Sequence, residues 1–101
     1  MIAQTILQQI GGRRFSVMTG SKNFTDIGHG LRMNLARNKT QANRLEIVLD
    51  EGTDTYIMKF YRQVITKDLE VKVTEVANYD MVYFDMLEDI FTSVTGLYTR
   101  F

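Results

Sequence analysis

Few residues in this chain could do covalent chemistry. His29 is the only histidine, and there is no cysteine. A catalytic zinc site takes three protein ligands, usually with histidines among them. A lone histidine between Gly28 and Gly30 therefore reads as an exposed loop residue. Hard cations need clustered carboxylates. Asp50, Glu51 and Asp54 surround a turn, and Asp85, Glu88 and Asp89 share a helix face; both groups read as solvated surface. Thr19-Gly20-Ser21-Lys22 hints at a nucleotide loop. That loop needs a glycine, four residues, then Gly-Lys-Ser/Thr opening a helix. Here a serine separates Gly20 from Lys22 and a glycine-rich stretch follows. A smaller role stays open, in which free amides and Lys22 hold one phosphate. The plainer reading is a loop of small residues that lets Phe24 reach the core. Hydroxyl nucleophiles are plentiful, but only His29 could serve as their base, and no spacing suggests a triad. The chain reads as a non-enzyme without cofactor or metal.

What the chain does carry is charge, unevenly spread. Residues 1–44 hold seven bases and one acid, and residues 45–101 hold five bases and eleven acids. The halves are thus +6 and −6 around a net charge of zero. Arg14, Lys22, Arg37 and Lys39, with Arg32 and Arg44, could line a cationic surface for single-stranded nucleic acid, exposed aromatics stacking on the bases. Typical nucleic-acid modules are markedly basic overall, however. Adjacent strands could equally set the two halves side by side and neutralise them.

The elements that must position these side chains are organised around residues 44–62. Two alternating runs flank the polar Glu51-Gly52-Thr53-Asp54, the pattern of a β-hairpin. With Asp50 opposite Thr55, Leu49 faces Tyr56, Ile47 faces Met58 and Leu45 faces Phe60 on the inner side. Outside, Glu46 faces Lys59 and Arg44 faces Tyr61, both favourable cross-strand pairs. Val48 and Ile57 then pair on the outer face. Arg32, Arg44, Glu46, Val48, Ile57, Lys59 and Tyr61 together make a candidate partner-binding face, apolar at its centre and charged at its rim.

Elsewhere, Ile2, Ala3, Ile6, Leu7 and Ile10 recur at helical spacing before Gly11 and Gly12. Residues 14–19 alternate, with Phe15 and Val17 inward, and read as a strand. Residues 20–30, with three glycines, read as a loop, long enough to fold over the outer sheet face with Phe24 and Ile27. Leu31, Met33 and Leu35 make the next strand, and pairing Leu35 with Leu45 extends the meander. Lys67-Asp68 would turn the chain so that Leu69, Val71 and Val73 return, Val64 facing Val71 on the core side. Glu75 would then oppose Phe60, so a bulge or strand end is expected at 74–76. Asp80 is the expected N-cap of a last helix with Tyr83, Leu87, Ile90, Phe91 and Val94 as its stripe. Gly96 is its C-cap, Leu97 folds back, and residues 98–101 form a tail. Ser16-Val17-Met18-Thr19-Gly20 and Ser93-Val94-Thr95-Gly96 look alike, but over so short a span chance suffices. The expected fold is α+β: an N-terminal helix, about five antiparallel strands in meander order and a C-terminal helix, both helices on one sheet face.

The chain's 101 residues, 45% hydrophobic, suffice for one domain over 1–101 with a real core. No apolar run can span a bilayer, and residues 1–10 lack the basic region of a signal peptide. The absence of cysteine and proline excludes a disulfide framework and a rigid linker.

A set of residues spread over most of the chain has a familiar look. It comprises Leu7-Gln8-Gln9-Ile10-Gly11-Gly12 with Phe15, Met18-Thr19-Gly20-Ser21-Lys22-Asn23-Phe24, Ala42-Asn43-Arg44, Asp54-Thr55-Tyr56, Ile90-Phe91-Thr92 and Thr95-Gly96-Leu97-Tyr98-Thr99. It resembles a family of small proteins encoded by bacteriophages and integrated mobile elements. The resemblance implies a phage accessory protein expressed in the bacterial cytoplasm, and it brings no catalytic residue or cofactor with it. Small phage proteins of this kind are often binders that interfere with host systems, anti-CRISPR proteins among them. The expected partner is a bacterial host protein or protein–nucleic-acid complex, with no membrane involved. Direct single-strand binding by the basic half and a structural homo-oligomer remain as alternatives.

Overall fold

The ladder expected between β3 (Arg44–Asp50) and β4 (Thr55–Ile65) is present rung for rung, from Arg44 opposite Tyr61 to Asp50 opposite Thr55. The computed structural model describes residues 2–99. Before this hairpin come α1 (Ile2–Ile10), α2 (Gly12–Thr19), β1 (Lys22–Asp26) and β2 (Gly30–Asn34); after it come β5 (Val71–Val82), a single 3₁₀ turn (Phe84–Met86) and α3 (Leu87–Thr95). The strands form one antiparallel sheet in the order β1-β2-β3-β4-β5. The fold is the α+β meander expected, with one helix more.

The core lies between one face of this sheet and the helices. Ile6, Ile10, Phe15, Leu87 and Phe91 bury fully against Met33, Leu45, Ile47, Met58 and Phe60. Phe91 reaches both sides, its ring 4.8 Å from Phe15 and 6.3 Å from Phe60. Tyr56 ties sheet to α1 by donating to Gln9 Oε1 at 2.6 Å. Burial and the nearby Asp54 charge raise the Tyr56 phenol above its ordinary range, and the Gln9 bond opposes them. As expected, α3 ends at Gly96 in the left-handed conformation, its N–H on the Thr92 carbonyl, and Leu97 packs on the core.

Several expectations fail, each for a local reason. Residues 14–19 are helical, not extended. Phe15 and Thr19 share a buried face four residues apart, Val17 is 71% exposed, and the Thr19 hydroxyl closes onto the Phe15 carbonyl at 2.7 Å. The expected loop at 20–30 contains β1, an edge strand with Phe24 turned toward the core. It does not cover the outer sheet face. The β2–β3 register is two residues away from the one expected, with Met33 opposite Leu45 and Leu31 opposite Ile47. Asn38 braces the longer connecting loop by donating to the Ala36 and Ala42 carbonyls. A two-residue shift keeps every side chain on its face.

After β4 the return is longer than Lys67-Asp68. Thr66 N–H donates to the Glu70 carbonyl, and Leu69 takes φ +63°. Val64 therefore pairs with Lys72, and Ile65 with Val71. This one-residue shift moves Val71 and Val73 from the core face to the outer face. The expected bulge is present: Tyr61 pairs with Glu75 and Phe60 with Ala77, leaving Val76 as the extra residue. Asp80 lies inside β5 and caps nothing; α3 starts through the 3₁₀ turn without a side-chain cap. Tyr83 is 55% exposed and stands outside the buried stripe. Of the expected tail, Tyr98 is exposed and Thr99 buried, while residues 100–101 lie outside the described range.

Candidate partner-binding face

All seven residues expected on the outer sheet face are brought together there. Arg32, Glu46 and Lys59 stand opposite one another across β2, β3 and β4, a row that alternates in sign. The next row places Arg44, Tyr61 and Glu75 side by side. Val48 and Ile57 pair at the other end, half-buried rather than exposed. None of the described helices lies over this face.

Tyr61 fixes the geometry of its centre. Its hydroxyl donates to Glu46 Oε2 at 2.6 Å, along the diagonal between the two rows. The phenol is pushed up to about 12. Burial is the largest cause, the bond to Glu46 and that carboxylate's charge act in the same direction, and Arg32 and Arg44 oppose them. At neutral pH the site thus presents a neutral phenol bonded to a carboxylate between flanking cations. A groove of about 430 Å³ runs over it, lined by Arg32, Glu46, Lys59, Tyr61, Val73 and Glu75 among others.

The groove opens onto apolar side chains, of which Val71 and Val73 were expected on the core face. β4 and β5 outrun β3 as a two-stranded arm. Its root is held by Asn43, whose side-chain amide donates to the Gln63 carbonyl and accepts from Gln63 N–H, both at 2.8 Å. On the arm Ile65 is 70% exposed, Val71 61% and Val73 58%. Isolated exposed apolar residues are ordinary, but three in adjoining positions beside a groove are the composition of an interaction surface. The signal that could have found them is the mismatch of Glu75 with Phe60, which a bulge and a longer turn resolve together.

The four other candidate cations do not form one surface. Arg14 is ion-paired with Glu88 on the helical side. Lys22 begins edge strand β1. Arg37 and Lys39 lie in the β2–β3 loop, where with Arg62 they border a cleft of about 440 Å³. Lys39 also binds the end of α3, its N–H on the Thr95 carbonyl at 3.1 Å.

The stretch that hinted at a phosphate loop is used internally. Thr19 and Ser21 are buried, their hydroxyls 2.8 Å apart, and Ser21 N–H donates to Thr19 Oγ1. His29 is exposed in the β1–β2 turn, 3.9 Å from Glu51. Among the described residues no three His, Asp or Glu side chains gather to hold a metal ion, and no helix is long and apolar enough to cross a membrane. Comparison with family models, curated proteins and solved structures gave no match.

Proposed function

We propose that this chain is a non-enzymatic binding protein that works by occupying a partner with its outer sheet face. The observation that carries this reading is the asymmetry of the sheet. One face holds the core, and the other carries a groove with a tyrosine at its centre, alternating charges and exposed aliphatic side chains along the arm. A central tyrosine with arginines and aliphatics is the usual make-up of a binding hot spot. Together with the resemblance to small phage and mobile-element proteins, this supports an accessory protein that interferes with a bacterial protein or protein–nucleic-acid complex in the host cytoplasm. Inhibitors of anti-CRISPR type are one such class.

The test compares tagged wild-type protein with Tyr61→Ala in pull-downs from bacterial lysate. A host protein retained by the wild type and lost with the variant, while the variant still unfolds cooperatively well above the assay temperature, supports the reading. Identical capture by both, or no specific capture, overturns it. The nucleic-acid alternative has one specific observation in its favour, the Arg37, Lys39 and Arg62 cleft. It requires single-strand binding that weakens steeply with salt, which a gel shift at low and moderate salt decides.

A further inference from the structure

The sheet's two edges are unlike. β1 is short, carries Lys22 and Asp26, and is kinked at Asn23, where φ is +57° and the register shifts. Short, charged and bulged is how edge strands are kept from pairing with another chain. β5 has twelve residues, among the described residues pairs only with β4, and before its bulges at Val76 and at 80–81 runs regularly over 71–75 with Val71 and Val73 exposed. We propose that β5 is a homodimer edge, two copies of the chain pairing antiparallel over residues 71–75 with Val73 on the two-fold axis. This stands apart from the outer-face reading: the edge binds a second copy whatever the face binds.

The register follows from the backbone. Thr66 N–H bonds to the Glu70 carbonyl, and in an antiparallel ladder bonded and non-bonded rungs alternate. The rungs Val64 to Lys72 and Arg62 to Thr74 are therefore bonded, and those of Val71, Val73 and Glu75 are not. The other strand agrees. The Tyr61 carbonyl accepts from Asn43 N–H, and Gln63 N–H and carbonyl both go to the Asn43 side chain, all on the β3 side. The main-chain groups of Val71, Val73 and Glu75 thus point to the free edge.

Only registers that match these residues with one another satisfy those groups. Val71 with Val73 would set Lys72 directly against Lys72, and centring on Glu75 would oppose two carboxylates; like charges so placed are destabilising. Centring on Thr74 carries the pairing into the bulge at Val76, and centring on Val71 carries it into the turn at Leu69. Centring on Val73 avoids all four. It forms three bonded pairs, Val73 with Val73 and Val71 with Glu75 twice. It also joins Ile65, Val71 and Val73 of both copies into one apolar patch. Because the arm outruns β3, the two bodies lie at opposite ends of the paired arms.

The chain contains no cysteine, so single cysteines report position without background. Under mild oxidation Val73→Cys should give a disulfide dimer, since directly opposed Cα atoms lie within disulfide reach. Val71→Cys alone and Glu75→Cys alone should not, their copies being about 13 Å apart along the strand. An equimolar mixture of those two variants should cross-link. Sedimentation of wild-type protein should show the mass rising with concentration toward twice the 11.7 kDa chain. Val73→Pro removes an N–H used only across the interface and should stay monomeric while unfolding cooperatively. A wild-type mass that stays at one chain throughout overturns the proposal. So does equal cross-linking at all three positions, or a Val73→Pro protein that still dimerises.

Discussion

Phe15 and Phe91 meet edge to face in the core, ring centroids 4.8 Å apart at 72°, and each stands four residues before the threonine that ends its own helix. The two segments read Phe15-Ser16-Val17-Met18-Thr19-Gly20 and Phe91-Thr92-Ser93-Val94-Thr95-Gly96. In both, the threonine hydroxyl donates to the phenylalanine carbonyl, at 2.7 and 2.8 Å, and accepts the N–H two residues on, at 3.2 and 3.1 Å. In both, the glycine is left-handed and donates to the carbonyl four residues back. Aligned from phenylalanine to glycine, the two stretches are one helix end built twice. Each threonine hydroxyl gives a second bond to a carbonyl of its last helical turn and takes up the N–H of the residue just past the glycine.

Removing that hydroxyl without changing side-chain volume isolates its contribution. Thr95→Val leaves the buried environment full but strands the Leu97 N–H. It should cost about 1–3 kcal/mol, or a melting-temperature loss of roughly 4–8 °C per kcal/mol in a domain of this size. Thr95→Ser should recover most of it. Thr19→Val should lose a similar amount through the Ser21 N–H and hydroxyl. Thermal unfolding of the three variants checks this; an unshifted Thr95→Val would remove the cap from the account.

Gly30 is set by close approach rather than by a turn. It pairs with Val48, and a Cβ there would lie 2.2 Å from the Ile47 carbonyl oxygen and 2.8 Å from Val48 Cα. Those are backbone atoms inside a ladder and cannot step aside. Gly30→Ala should destabilise by roughly 1–3 kcal/mol or more, as overpacking does. Gly52→Ala, in the exposed β3–β4 turn with only Asp50 Oδ1 at 3.4 Å, should stay within about 0.5 kcal/mol. Denaturant midpoints of the pair give the comparison.

Asn43 predicts a local rather than a global effect. Asn43→Ala leaves the Gln63 N–H and carbonyl without the bonds that brace the arm. Amide exchange of Gln63 and its neighbours on the arm should quicken well beyond the change in the β3–β4 ladder. Exchange that quickens uniformly over the sheet would contradict the bracing role.

Legibility in the sequence tracked how many independent signals each element carried. The β3–β4 register was readable because alternation, the turn residues and the Glu46–Lys59 pair all select it. α2 was not. Over six residues the spacings that put Phe15 with Val17 or Phe15 with Thr19 compete, and the deciding bonds, Thr19 hydroxyl to the Phe15 carbonyl and Gly20 N–H to the Ser16 carbonyl, are local capping bonds that leave no mark on hydrophobic period. β1 offers one inward apolar residue, Phe24, too few to show a period. The outer-face residues were legible because they inherit the hairpin's register. Val71 and Val73 were not, because their face depends on the length of one turn, set by the left-handed backbone of Leu69.

The Tyr61–Glu46 pair gives the last prediction, and its sign can be worked out. The Tyr61 phenol is pushed up to about 12 from an ordinary 10.0, by burial first and then by its bond to Glu46 and the charge there. A proton held more tightly in the folded state stabilises the fold while the phenol stays protonated. That contribution is complete below pH 10 and is lost as pH rises from about 10 to about 12. Subtracting the phenolate absorbance titration of Tyr61→Phe from that of the wild type should isolate a tyrosine ionising about two units late. Glu46→Gln should move that component back toward 10, because it removes the carboxylate that a phenolate would have to face. Tyr56, whose partner is Gln9, should titrate unchanged in that variant. Denaturant unfolding across the same pH range should fall less steeply for Tyr61→Phe than for the wild type. A difference curve centred at an ordinary tyrosine value, with equal pH slopes for the two proteins, would rule out the pair as the source of the shift.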